Sequence, residues 1–139
     1  VDWLVAWSAV GLPLLLRPSV QPVRSVVAML ALVALLAGFV VQLHAKCALG
    51  RNLGIVPALR TVCVRGPYRY VRHPMYAGYA LSQVGFLALH PTGANGVILA
   101  VAWLVQWLRL RREELVLAGD EDYAAYVRRV PYRLVPGWL

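Results

Sequence analysis

Apolar residues in this chain come in blocks, and the block lengths predict its elements. From Val26 to Leu43 the run carries only Ser25 at its head and Gln42 near its end as polar interruptions. That is about the length of a helix crossing a hydrocarbon core, so a spanning helix is predicted there. An earlier block, Trp3 to Leu16 with Pro13 near its end, predicts the remainder of a longer spanning helix, with Arg17-Pro18 as its stop at a membrane face. No basic region precedes that block and no small-residue cleavage site follows it, which argues against a signal peptide.

Two further apolar stretches, Met75 to Leu89 and Gly96 to Leu108, flank His90-Pro91-Thr92-Gly93-Ala94-Asn95, whose proline, glycine and asparagine suit a tight turn. They predict a helical hairpin. Each is about 15 residues, roughly 23 Å at 1.5 Å per residue, so each extends into its polar flank or leaves the bilayer locally thin. Gly119-Asp120 then ends one helix and caps another, on which Tyr123, Tyr126, Val127 and Val130 form an apolar stripe that packs the tail against the membrane face. Pro131 stops that helix, and Trp138 fits an interfacial anchor.

Composition sharpens this into a membrane protein: of 139 residues, 60% are hydrophobic and 14% charged. The expected fold is all-α and polytopic, with about four transmembrane helices including the C-terminal hairpin. The whole of 1–139 is one domain, in which 1–45 supplies generic spans and 46–139 the working part. Charge orients it. Lys46, Arg51, Arg60, Arg65, Arg69 and Arg72 fill the central loop, and Arg109, Arg111, Arg112, Arg128, Arg129 and Arg133 the tail, while the hairpin turn has none. By the positive-inside rule both basic segments are cytoplasmic, which leaves Arg17 and Arg24 on the outer side against the rule.

A net charge of +8 raises the question of nucleic acid. The arginines flank membrane segments, however, and no nucleic-acid fold signature accompanies them, so membrane lipids and topology account for the charge. Cys47 and Cys63 form no Cys-x-x-Cys pair, and His44 and His90 lie at span ends, so neither a disulfide nor a metal site is argued. No Gly-x-Gly-x-x-Gly follows a strand, so a Rossmann dinucleotide site or soluble methyltransferase core is not supported.

Candidate chemistry gathers in two blocks. In Arg72-His73-Pro74-Met75-Tyr76-Ala77-Gly78, Pro74 suits the first position of a helix and puts His73 at the helix mouth, where backbone N–H groups favour an anion. The plainer reading makes Arg72 and His73 headgroup anchors and Tyr68, Tyr70 and Tyr76 an aromatic belt. About 35 residues on, Arg109 and Glu113 stand four apart and share a helix face, in the poorer order for a simple salt bridge.

Together with Leu49-Gly50-Arg51-Asn52, Gly66-Pro67-Tyr68-Arg69-Tyr70-Val71 before the first block, Glu113-Glu114, and Val130-Pro131-Tyr132-Arg133-Leu134-Val135-Pro136-Gly137, these blocks resemble the isoprenylcysteine carboxyl methyltransferases and the related phosphatidylethanolamine N-methyltransferases. The resemblance runs from Leu49 to Leu139. It implies a multi-span enzyme whose cytoplasmic loop and tail form a site for S-adenosylmethionine, with a lipophilic methyl acceptor drawn from the bilayer. By that resemblance Tyr68, His73, Pro74, Met75, Tyr76 and Glu113 match cofactor-binding positions, as do Arg60, Thr61, Val62 and Cys63. Arg109 matches the arginine that holds the acceptor, making it the candidate catalytic and substrate-binding residue. One sequence does not decide between Glu113 and Glu114.

The chemistry expected is in-line methyl transfer, with a carboxylate favoured as acceptor because it is ionised at neutral pH and needs no general base. Anion and cation then become neutral products, which a poorly hydrated site assists, and Arg109 acts by positioning. The expected location is a bacterial plasma membrane. Two rivals stand at this point: an NADPH-dependent reductase of a lipophilic substrate, since membrane sterol reductases carry a similar first block, and a non-catalytic adaptor using its basic face on anionic lipid.

Overall fold

The computed structural model describes residues 11–20, 22–50 and 62–137. Within them the chain folds as four α-helices, α1 (Ser25–Leu49), α2 (Pro74–Leu89), α3 (Gly93–Leu117) and α4 (Glu121–Arg129). Short 3₁₀ turns lie at Leu12–Leu15 and Gly66–Arg69, and no strand occurs among the described residues. The expected first span falls largely outside these residues, and its described end is the first 3₁₀ turn.

Two described helices, α1 and α3, are long and apolar enough to cross a membrane, each with 25 residues. At 1.5 Å per residue that is about 37 Å, more than a hydrocarbon core of about 30 Å. The outer side of α1 leaves Met29, Leu30, Val33, Leu36, Phe39, Val40 and Leu43 exposed, as a lipid-facing surface requires. Helix α1 outruns the predicted Val26–Leu43 because His44-Ala45-Lys46-Cys47-Ala48-Leu49 holds no helix breaker. It stops at Gly50, whose φ of 52° suits glycine. Helix α2 has 16 residues, close to the predicted short span, whereas α3 runs on through Arg109 to Leu117.

Small residues bring α1 and α2 into backbone contact. A Cβ on Gly38 would lie 2.5 Å from the Ser82 nitrogen, and one on Gly85 2.5 Å from the Ala31 carbonyl oxygen. In an apolar solvent, helices associate through such close packing together with polar contacts across the seam. Here the Gln42 amide donates to the Gly78 carbonyl at 3.2 Å and to Ser82 Oγ at 3.0 Å.

At the hairpin tip Thr92 caps α3, its hydroxyl oxygen accepting from the Asn95 N–H at 3.2 Å. Asn95 is buried: its amide donates to the Arg17 and His90 carbonyls, and its oxygen accepts from the Arg17 N–H. Arg17 therefore shares the hairpin end of the bundle. The opposite end carries the start of α2, the last turns of α1 and the charged end of α3.

Candidate active site

The site is built at that second end. Gly66, at φ 56°, opens the 3₁₀ turn where a Cβ would meet Ala48 Cβ at 3.2 Å and His44 Nε2 at 3.3 Å, so the loop runs hard against α1. On the same surface the Cys63 thiol donates to the Ala48 carbonyl at 3.3 Å. Tyr68 is buried within the turn, and its carbonyl accepts a 2.7 Å bond from the Tyr126 hydroxyl. Burial pushes the phenols of Tyr68 and Tyr126 above their ordinary value, so Tyr126 stays a donor. Helix α4, capped by Asp120 through the Asp122 and Tyr123 N–H groups, holds Tyr126 there. Its apolar stripe of Tyr123, Tyr126 and Val130 packs on Val62, Leu117 and Val127, closing the tail over the loop and the end of α3.

Pro74 opens α2 and His73 takes the N-cap position, as the spacing predicted. The His73 ring stands edge-on to Tyr76 at 5.6 Å, with Nε2 3.4 Å from Glu114 Oε1. Glu114 is the hub of the cluster. Arg72 Nη1 reaches Oε1 at 2.8 Å, and Arg133 grips both oxygens, Nε at 3.1 and 3.0 Å and Nη2 on Oε2 at 3.0 Å. Backbone bonds reinforce the junction: the Arg72 and His73 N–H groups donate to the Tyr132 and Arg133 carbonyls at 2.9 and 2.8 Å. An arginine fork on a carboxylate is the stronger, directional form of ion pair. The tail is thus fastened to the mouth of α2.

Glu113, one position back, turns another way and accepts from the Tyr76 hydroxyl at 3.3 Å. Successive residues on a helix point about 100° apart, at 3.6 residues per turn, so neighbouring glutamates serve different faces. One turn deeper, Arg109 lines a cavity of about 250 Å³ with Phe39, Gln42, Tyr79, Gln83 and Gln106. Tyr79 and Tyr76 stack edge to face at 6.4 Å, so the cavity abuts the Glu113 position.

Of the residues singled out in the sequence, Tyr68, His73, Pro74, Tyr76 and Glu113 converge at this end, with Arg109 behind them. Met75 is half-buried in the first turn of α2. Val62 joins the α4 cluster and Cys63 ties the loop to α1, so both pack beside the junction. Arg60 and Thr61 lie outside the described residues. Sequence reasoning passed over Arg133 as a site residue, although it sits in a block that was singled out. It also passed over Gln83 and Gln106, whose signal was a neutral polar side chain inside an apolar run.

A sequence model of the phospholipid methyltransferase family matches residues 26–120, more than half of the chain, from the start of α1 through both glutamates. No curated protein and no solved structure matches.

Proposed function

The chain belongs to the phospholipid methyltransferase family, and from that premise we propose that it methylates a lipophilic acceptor, a carboxylate by preference, using S-adenosylmethionine. Family membership favours methyl transfer over the reductase and adaptor alternatives. The observation that carries the reading is the meeting of the His73–Tyr76 block with Glu113, directly beside a cavity walled by Arg109.

The residues present fit the methyl donor. Glu113 offers a carboxylate that accepts from the Tyr76 hydroxyl, suited to an ammonium group, and the first turn of α2 offers the positive end of a helix to a carboxylate. Tyr68 and Tyr76 supply aromatic walls, and the docked tail shields that end from bulk water. When bound, S-adenosylmethionine supplies a methyl group on a cationic sulfur. Arg109 orients the acceptor, whose negative charge is lost on methylation, so its geometry matters more than the strength of its grip. We place the loop and tail on the cytoplasmic face of a four-span protein, in a bacterial plasma membrane, with the acceptor arriving from the bilayer.

Calorimetric titration of the detergent-purified chain with S-adenosylmethionine, and separately with NADPH, tests the proposal. The expected result is binding of the methyl donor that Glu113→Ala abolishes in a folded variant. Binding of NADPH alone, or of neither, overturns it.

A further inference from the structure

We propose that the glutamine-lined cavity behind Glu113 receives the head of the acceptor, and that Gln83 selects a lipophilic acid carrying a hydrogen-bond donor, a hydroxyl or an amide N–H, near its carboxylate. The proposal rests on the methyl-transfer reading of the neighbouring site and names its substrate class.

Three glutamines, one from each of α1, α2 and α3, meet Arg109 around this space. Gln83 stands nine residues along α2 from Pro74, about 13 Å from the helix mouth at 1.5 Å per residue. A polar side chain at that depth is costly unless it is paired or used. Gln42 is accounted for by its bonds to Gly78 and Ser82. Gln83 is not: it is 8% exposed, and its Oε1 is buried without a hydrogen-bond partner among the described residues. Packing alone gives no reason for an amide there, and a buried acceptor left unsatisfied in a folded protein calls for a partner.

Stereochemistry restricts that partner. Gln83 Oε1 only accepts, and the Arg109 guanidinium only donates. One molecule serving both presents an acceptor oxygen to Arg109 and an O–H or N–H to Gln83. An ionised carboxylate without a neighbouring donor group can accept from Arg109 and from the Gln83 N–H but leaves Gln83 Oε1 unpaired. Volume sets the scale: 250 Å³ equals about eight waters at roughly 30 Å³ each, enough for a head group and not for a whole lipid. A neighbouring groove of about 240 Å³ shares Phe39 and Gln42 with the cavity and runs along Val40 and Leu43 on the exposed side of α1, with Lys46 at its edge. That groove takes the hydrocarbon chain.

The test measures equilibrium binding of tritiated hexadecanoic acid and its 2-hydroxy and 3-hydroxy derivatives to the chain in nanodiscs, with empty nanodiscs subtracted, for wild type and Gln83→Leu. The expected result is that wild type holds one hydroxy acid about tenfold or more tighter than the plain acid, the scale of one buried hydrogen bond. Gln83→Leu should bind all three alike, and the plain acid as wild type does. If Gln83→Leu does not fold, Gln83→Met, similar in length, replaces it, and the wild-type preference stands as its own test. Equal binding of the three acids by wild type, a preference surviving in the variant, or no binding of any acid overturns the inference. Acid binding is read without the methyl donor, and donor binding is titrated separately. A failure of the methyl-transfer reading therefore shows as absent donor binding, and a failure of the Gln83 assignment as absent preference.

Discussion

Converting Glu114 to glutamine removes one negative charge and keeps the side-chain shape, and the structure fixes what that should cost. The carboxylate faces Arg72 Nη1 at 2.8 Å, His73 Nε2 at 3.4 Å and a two-oxygen grip from Arg133 at 3.0–3.1 Å. Side-chain exposures are 13% for Glu114, 9% for Arg72, 6% for His73 and 31% for Arg133. Breaking a buried pair typically costs about 3–5 kcal/mol, because the stranded partner stays desolvated, whereas a fully exposed pair is worth at most about 1 kcal/mol. Arg72 belongs to the first case, and Arg133, a third exposed, lies between them. The expected loss is therefore about 2–4 kcal/mol. It falls on the docking of the tail, which loses its ionic clamp and keeps its backbone bonds, the Tyr126–Tyr68 hydrogen bond and the apolar packing of α4. Glu113→Gln is the control: an amide oxygen still accepts from Tyr76, so its stability change should stay under about 1 kcal/mol. Thermal melting in detergent reads the stability, and trypsin cleavage at Arg128 and Arg129, followed by mass spectrometry, reads the docking. Glu114→Gln should melt lower and be cut faster, while Glu113→Gln behaves as wild type. Equal melting of the two variants, or unchanged cleavage in Glu114→Gln, would refute the assignment of Glu114 as the clamp.

Gly85→Ala places a Cβ 2.5 Å from the Ala31 carbonyl oxygen and 2.7 Å from the Leu35 nitrogen, so α1 and α2 must separate. We expect a destabilisation of about 1–3 kcal/mol in a denaturant titration, and wild-type stability would contradict the close crossing. Gln42→Leu forfeits both bonds across that seam and should cost about 0.6–1.7 kcal/mol in the same assay. Tyr126→Phe removes the 2.7 Å bond to the Tyr68 carbonyl, worth about 1 kcal/mol in thermal melts. That substitution also carries a pH signature. Because burial raises the Tyr68 and Tyr126 phenols in the folded state, the unfolded chain ionises first, near pH ~10, and stability is lost as pH rises beyond it. Melts taken from pH ~8 upward should fall less steeply in Tyr126→Phe, and parallel profiles would count against the buried phenol.

What the sequence revealed depended on how local each signal was. The apolar run after Ser25, the proline that opens α2, the His73 cap position and the Asp120 cap are all written within a few residues, and each appears in the fold. The end of α1 was legible only as loss of hydrophobicity, which is a property of the membrane boundary; the helix itself continues until Gly50. Asn95 looked like a turn residue, yet its side chain satisfies Arg17, 78 positions away, a contact that no local pattern encodes. The same holds for Arg133, which reaches Glu114 from beyond a second helix. Of the glutamines only Gln42 registered as an interruption of an apolar run, and the packing of three helices turned it, Gln83 and Gln106 into the wall of one cavity.

The glutamate pair shows how a helix sorts adjacent, identical side chains into separate roles. Sequence left Glu113 and Glu114 interchangeable, since nothing in a doublet marks which way either points. Once α3 continues unbroken from Arg109 to Leu117, rotation about its axis takes Glu113 to Tyr76 and Glu114 to Arg72 and Arg133. Glu114 is committed to three basic side chains of the protein itself, so a bound cation would have to displace them. Among the described residues Glu113 has one long hydroxyl contact and can exchange it for an ammonium group at small cost. In the proposed assignment α3 therefore carries three functions in order from the membrane outward: Arg109 for the acceptor, Glu113 for the methyl donor and Glu114 for the tail that covers it. The four-residue step from Arg109 to Glu113 is a rise of about 6 Å on one face, which keeps acceptor and donor groups adjacent without letting the two side chains compete for one position.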